Sequence, residues 1–375
     1  MKVAVAHEWL VRYAGSERVV AELLEEFPGS RLLTTVAEPE ALPAELRPAE
    51  PSFLQRLPGA AHHHEWLLPL MPLSWRVREP IDGVDAVISS SHACAKAVRV
   101  AEGVSHICYC HTPMRYAWDF AAEAGRFPAP IRPAARAGMA WFRRWDRRTA
   151  AHVDRFVANS TAVADRIHRF YGREAEVVHP PVRTDFFTPG GGEREDWFLY
   201  VGRLVSYKRP ELVVDAFRGL DARLRVVGDG HLRERLERAA PANVEFLGEQ
   251  GEEELRELYR RARAFVYPAD EDFGIVMAEV QACGTPVIGL RRGGAVDVVR
   301  EGETGWLIDE QDAGALRLAV ERAAVEELDS AAIRSNAERF SAERFRDQMR
   351  RLVAEVLSGP AAEPEPEPLV AGGSA

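Results

Sequence analysis

Cysteine is scarce in this sequence, which has only Cys94, Cys108, Cys110 and Cys283. They show neither the spacing of a disulfide framework nor a C-x-x-C zinc pair, so reduced thiols in the core are expected. Long apolar runs are missing as well. None approaches the roughly 18 residues that cross a bilayer, and the first stretch of chain reads as a strand rather than a signal peptide, so a cytoplasmic protein is expected. Positive charge is in overall deficit: a net charge of −10 argues against nucleic acid as a partner. The glycine fingerprint G-x-G-x-x-G is absent too, and with it the main signature of a nicotinamide-dependent oxidoreductase.

What is present is an alternation of strand and helix over 375 residues, 46% of them hydrophobic, which is enough for two cored domains. Residues 2–6, Lys-Val-Ala-Val-Ala, are nearly all apolar, as a buried parallel strand requires. A loop with Gly15 then leads to a helix from Glu17, apolar at Val19, Val20, Leu23, Leu24 and Phe27. Further strands are expected at 32–36, 86–91, 104–110, 156–160 and 177–182. Pro180 and Pro181 stiffen a crossover there, and the turn at Gly190, Gly191 and Gly192 marks a domain boundary. The second half repeats the pattern, with strands at 197–201, 224–227, 243–247, 264–268, 285–289 and 305–308, and helices at 210–217, 252–261 and 275–282. The expected fold class is therefore α/β, with two Rossmann-like doubly wound domains, 1–187 and 193–340, facing a central cleft. Residues 339–357 are amphipathic, and the tail 359–375, with its Glu-Pro repeats, is expected to be disordered.

The stretch 270–284 organises the second half. A short apolar strand feeds the buried helix through Asp270-Glu271-Asp272-Phe273-Gly274, which turns unpaired backbone N–H groups and a positive helix end toward the loop. An anion such as a phosphate is favoured there. Glu271 lies in the loop and Glu279 about five residues into the helix, roughly 7 Å further along its axis. Two carboxylates so placed can address two parts of one elongated ligand. Arg203 and Lys208 follow another strand end, where they can neutralise two phosphates. His111 stands at the carboxyl end of a first-domain strand, where a ligand crevice opens.

Two stretches stand apart. His62, His63 and His64 cannot all face one metal from a regular element, so a mobile loop bordering substrate is expected there. Residues 126–173 hold eleven Arg against three Asp, and Trp141 and Trp145 are interleaved with arginines on a helix. That helix could lie on an anionic membrane surface and capture a lipid-linked acceptor, or dock both tryptophans inward while its arginines face water.

Together these residues resemble family 4 retaining glycosyltransferases of the GT-B type. Glu271 and Glu279, with Phe273, Gly274 and Ile275 between them, look like the E-x7-E element, and residues 202–208 are similar to the G-R-x4-K donor-phosphate motif. Residues 89–93 and 108–119 resemble a mannosyltransferase-like branch, and the similarity runs from residue 1 to about 357. It implies that Gly15 and Ser16 lie near the donor diphosphate and sugar, although the family pattern there is Gly-Gly. It implies further that Gly248 borders the base, that Glu279 holds the ribose, and that Glu271 with the backbone amides of Phe273, Gly274 and Ile275 orients the sugar. His111 would contact that sugar, Arg115, Tyr116, Trp118 and Asp119 would face the acceptor, and the last helix would cross back onto the first domain. GDP-mannose is the implied donor, a co-substrate with no other cofactor; the acceptor is a glycan, lipid-linked or small molecule.

As the glycosidic bond to the diphosphate breaks, negative charge builds on the leaving group, so fixed cations at Arg203 and Lys208 are worth most then. Retention by front-face attack is implied, without a glycosyl-enzyme intermediate. Asp270-Glu271-Asp272 spells the metal-binding D-x-D of another architecture, but its Glu belongs to the E-x7-E element, and no divalent metal is expected. A nucleotide-sugar epimerase or hydrolase on the same frame, and a catalytically silent subunit, are the rival readings.

Overall fold

Strands of nearly continuous apolar sequence are buried on both faces only when helices cover both sides of the sheet, and two such parallel sheets form here. A computed structural model describes residues 1–118 and 132–359, apart from the side chains of Tyr116, Pro133 and Ala135. The first sheet comprises β1 (Val3–His7), β2 (Arg31–Leu33), β3 (Ala86–Ser91), β4 (Ser105–Cys110), β5 (Arg155–Ala158) and β6 (Ala175–Val177), in the order β2-β1-β3-β4-β5-β6. The second comprises β7 (Trp197–Val201), β8 (Arg223–Val227), β9 (Val244–Gly248), β10 (Phe265–Tyr267), β11 (Val287–Leu290) and β12 (Gly305–Ile308), in the order β12-β11-β10-β7-β8-β9.

Both orders reverse direction once, between β1 and β3 in one sheet and between β7 and β10 in the other. At such a switch the connections leave toward opposite faces and a crevice opens beyond the strand ends. The loops after β1 and β3 therefore face a crevice in the first domain, as do those after β7 and β10 in the second. These loops carry Gly15, His92, Lys208 and Glu271.

Several segments differ from the sequence expectation. Pairing of β2 ends at Leu33 because the backbone N–H of Thr35 and the hydroxyls of Thr34 and Thr35 turn to the Glu8 carbonyl. β6 lies two residues early because Pro180 and Pro181 have no N–H to extend a ladder. His62 and His63 lie in a turn and His64 opens a 3₁₀ helix, His64–Leu70, with its ring bonded to the Ala61 carbonyl at 2.9 Å. The expectations for Asp119, residues 126–131 and the tail beyond Gly359 fall outside the described residues.

The last helix, Ala342–Ser358, starts where the Ser341 hydroxyl accepts from the Arg344 amide. It buries Phe345, Met349, Leu352 and Val353 against the first-domain core, with Phe345 edge-on to Tyr109 at 5.7 Å. Spacing of four, three and one puts all four on a single face, and burying each is worth about 1.5–3 kcal/mol. Arg346 and Arg350 pair with Glu22 and Glu26 on the helix Gly15–Glu26. The chain thus passes between the domains twice. The two passages run side by side, with Val182 bridged in parallel to Ser341 and its N–H bonded to the Phe340 carbonyl at 2.8 Å.

Candidate active site

A cavity of about 430 Å³ lies between the two domains, lined by Gly15, Ser16, His92, His111, Thr112 and Asn159 on one wall and Lys208, Tyr267 and residues 271–276 on the other. Its second-domain wall is built from backbone. Gly274 takes a left-handed conformation, φ 82°, and starts the helix Ile275–Ala282 with no side-chain cap and no acidic residue in the first turn. The Met277 amide donates to the Gly274 carbonyl at 2.9 Å, which leaves those of Ile275 and Val276 for a ligand. The preceding loop is pressed from beneath by Gly293 and Gly294. A Cβ at Gly294 would stand 2.2 Å from the Phe273 Cα, and one at Gly293 would stand 2.2 Å from the Glu271 carbonyl oxygen, so only glycine fits at either position. The Gly294 N–H donates to that same carbonyl at 2.9 Å, fixing the loop.

Three side chains close on one another inside this wall. Lys208 Nζ lies 2.9 Å from Glu271 Oε1 and donates to the Tyr267 hydroxyl at 2.6 Å, and that hydroxyl donates to Glu271 Oε1 at 2.9 Å. Burial, then the charge of Glu271, pushes the Tyr267 phenol far up, so it stays protonated and a donor. Of the 48 basic residues only Lys2, Lys96 and Lys208 are lysine. A compact ammonium with three rotatable donors suits a site where the partner must change, whereas a planar guanidinium does not. Arg209, next in sequence, is the one non-glycine at positive φ among the described residues. That strain falls beside Lys208, at the start of the helix Pro210–Ala216.

The first-domain wall is built instead from a buried polar network. Glu8, fully buried at the end of β1, accepts from the Ser91 hydroxyl and from the amides of His92, Ala93, Cys94 and Ala95, at 2.7–3.1 Å. Burial opposes its charge, but His92 and those amides outweigh it and hold the carboxyl below the usual range. This clamps the turn after β3 and sets His92 on the cavity. Ser90 Oγ lies 2.8 Å from His111 Nε2 and 3.1 Å from His7 Nδ1, and His7 Nε2 lies 3.7 Å from Glu17 Oε1. Burial, then the neighbouring His92 and His7, drives the His111 imidazole well below its ordinary value, so it is neutral at pH 7. Glu17 resists burial through His7 and Ser16 and is held to about 2. A chain of contacts therefore links a buried carboxylate to a neutral cleft histidine.

Of the residues singled out from sequence, Gly15, Ser16, His111, Lys208, Glu271, Phe273, Gly274 and Ile275 line the cavity together. The others do not. Arg203 is exposed, its guanidinium donating to the Tyr207 hydroxyl at 2.7 Å, because Leu204 takes the inward position of the turn. Gly248 ends β9 at the far edge of its sheet. Glu279 is buried and held by Arg18 of the other domain at 2.8 Å; burial raises its carboxyl and Arg18 opposes the rise. Arg115 lies 3.9 Å from Asp272, which Arg166 also grips. Trp118 stacks on Phe170 at 4.4 Å and donates to Asp146, which carries the buried Lys96 as well. The backbone of Tyr116 belongs to a short turn of helix, and its side chain, like Asp119, lies outside the described residues.

Sequence reasoning missed Tyr267 and Arg18, and had His92 and Thr112 only as members of the stretches 89–93 and 108–119, with no role of their own. Tyr267 sat in an apolar strand, and the polar end of such a residue one step from a strand terminus is the signal that was available. Arg18 gave no local sign, since its partners lie 234 and 261 residues away.

Residues 13–186 match the family described as Glycosyltransferase Family 4, and residues 182–340 match Glycosyl transferases group 1. The D-inositol 3-phosphate glycosyltransferases of Mycobacterium sp. strain KMS and of Rhodococcus opacus are each 34% identical to this chain, over 45% and 44% of it. In both cases the match spans 44% of the relative's length, less than half. The fold is shared with sucrose-phosphate synthase from Thermosynechococcus elongatus, at TM-score 0.73 and 18% identity over 95% of this chain and 99% of the other. It is shared also with Anabaena HepE in complex with UDP and glucose, at TM-score 0.68 and 16% identity over 94% and 99%. The fold is the GT-B arrangement of two parallel-sheet α/β domains.

Proposed function

From the premise that this chain joins a Glycosyltransferase Family 4 domain to a group 1 glycosyl transferase domain, we propose that it transfers a hexose from a nucleoside-diphosphate sugar to an acceptor hydroxyl. One observation carries the reading. Lys208, Glu271 and an uncapped helix end from one domain share a cavity with His111 and Gly15 from the other. The diphosphate takes the amides of the helix Ile275–Ala282, and Lys208 exchanges Glu271 for a phosphate oxygen. Negative charge developing on the leaving group is then met by a fixed cation and a helix dipole. Glu271, still bonded by Tyr267, is freed to accept from the sugar hydroxyls. Neutral His111 offers the sugar a hydrogen-bonding edge without adding charge beside the developing oxocarbenium ion. The acceptor enters on the same face as the departing diphosphate, so the anomeric configuration is retained.

Mannose from GDP-mannose is the finer reading, supported by the resemblance of residues 108–119 to a mannosyltransferase-like branch. The acceptor is a glycan, a lipid-linked sugar or a small phosphorylated polyol, the last because the curated relatives are named for inositol 3-phosphate. No divalent metal takes part: Lys208 occupies Glu271 and Arg166 occupies Asp272, so two of the three carboxylates of the acidic triplet already have a cation. Peripheral membrane contact through residues 126–173 fits the helix Arg132–Ala150, where Trp141 is 54% exposed while Phe142 is buried. No helix among the described residues is long and apolar enough to cross a membrane.

Titration calorimetry with GDP, UDP and ADP, followed by mass spectrometry of GDP-mannose, UDP-glucose and related donors with and without acceptor, tests the reading. Binding of a nucleoside diphosphate and acceptor-dependent transfer are expected, undiminished in excess EDTA. Donor turnover to an epimer or free sugar alone would point to the rival enzymes, and no binding at all would overturn the proposal.

A further inference from the structure

The helices Gly15–Glu26 and Ile275–Ala282 meet end to end across the cleft. Ile275 Cδ1 lies where a Gly15 side chain would begin, 2.9 Å away, and one turn further along each helix Arg18 meets Glu279. The Arg18 guanidinium divides its nitrogens between two carboxylates of the second domain, donating to Glu279 Oε1 at 2.8 Å and to Glu252 Oε1 at 3.0 Å. Glu252 is further held by Arg183 at 2.7 Å. Glu279 Oε2 makes no hydrogen bond among the described residues, so one oxygen of the carboxylate is fixed and the other is open.

A carboxylate that is to accept from a sugar hydroxyl must be ionised and must point one lone pair at it. Burial raises the Glu279 carboxyl, because desolvation penalises the charge, and Arg18 opposes that rise. We propose that Arg18 is a positioning residue for the donor ribose: from the opposite domain it holds Oε1 of Glu279 and aims Oε2 at the ribose hydroxyls. The ribose site is then complete only when the two domains are closed, which ties recognition of the nucleotide to closure. This deepens the reading of Glu279 as the ribose carboxylate and rests on it.

The test compares GDP, UDP and ADP with their 2′,3′-dideoxy counterparts by titration calorimetry on the full chain, in the wild type and in Arg18→Ala, Arg18→Lys and Arg183→Gln. The wild type is expected to favour a ribonucleotide over its dideoxy form by about 10-fold or more, the scale of a hydrogen bond to a charged group. Arg18→Ala should lower that ratio to near one, Arg18→Lys should restore part of it, and Arg183→Gln should keep it. A second readout is pH. Glu279 is faced by Arg18, Arg183, Glu252, Tyr259 and Cys283. Burial keeps the Tyr259 phenol and the Cys283 thiol protonated, the thiol pushed up to about 12. The ratio of ribonucleotide to dideoxy affinity, in which the titration of the phosphates cancels, should therefore start to fall at a higher pH in Arg18→Ala than in the wild type.

An unchanged ratio in Arg18→Ala overturns the inference and leaves the donor reading standing. So does tighter ribonucleotide binding in that variant, which would make Arg18 a blocker of the site. A wild type that binds no nucleoside diphosphate overturns both. If Arg18→Ala does not fold, the Lys variant decides: the full wild-type ratio without the forked guanidinium counts against the proposal, and a partial ratio supports it.

Discussion

The two walls of the cleft are made by different means. The second-domain wall is a matter of backbone: a left-handed Gly274, the uncapped helix behind it, and Gly293 and Gly294 seated under the loop. The first-domain wall is a matter of buried side chains, in which Glu8 gathers five donors and Ser90 joins two histidines. A backbone site is rigid and tolerates no added atom. A network site tolerates atoms but depends on protonation state, because removing one partner strands the others.

The sharpest way to break this contrast is at the point where the backbone wall carries a charge. Lys208→Ala is expected to lower kcat by about 10²-fold or more, the cost of one charge-stabilising donor. Lys208→Arg should not restore it, since a planar fork cannot replace an ammonium held within 2.9 Å of both Tyr267 and Glu271. Arg203→Ala should cost less, its guanidinium lying outside the cavity on Tyr207. Equal effects in steady-state assays would remove the distinction between the two cations.

Gly294→Ala comes next. Its methyl would collide with the Phe273 backbone, so the loop must shift, at about 1–3 kcal/mol in chemical denaturation and a tenfold or greater loss of donor affinity. Full affinity in this variant would mean the wall is softer than its packing indicates. Glu8→Gln should act the other way round, with a stability loss of about 2–4 kcal/mol from weakened bonds to five donors and little change in nucleoside-diphosphate affinity.

The smallest effect separates the domains by acid. Burial pushes His106 down to about 4, so between the unfolded value near 6.5 and about pH 4 the unfolded chain binds more protons than the folded one. Stability therefore falls as pH drops through that window. Glu17, held to about 2, adds a further loss as pH falls below about 4.5. Hydrogen exchange at pH 7 and pH 5 should show the first sheet losing protection ahead of the second, and His106→Asn should narrow the gap. Equal losses in both sheets would erase the contrast.

The same difference governs what the sequence disclosed. Strand positions came from runs of apolar residues, and the backbone wall came with them, because a loop between a strand and a helix with glycine at its turn is a local pattern. Gly293 and Gly294 were visible only as a polar turn, since their reason is a loop 20 residues upstream. Glu8 and Arg18 lay beyond local reading, the residues their side chains bond being 83 or more residues distant, and Ser90 joins His7, 83 residues away, to His111, 21 away. Trp118 shows the converse: the resemblance set it toward the acceptor, but its ring stacks on Phe170. Boundaries slipped where a proline or a hydroxyl diverted the backbone, at Pro180 and at Thr34.

The doubled passage at Val182 and Ser341 has a mechanical consequence. A single tether would let one lobe spin on the other, but two tethers lying abreast resist torsion and leave one easy swing, across their common line. The lobes are thereby hinged like a book on a two-ply spine, and each time it shuts the same pages meet, Gly15 on Ile275 and Arg18 on Glu279.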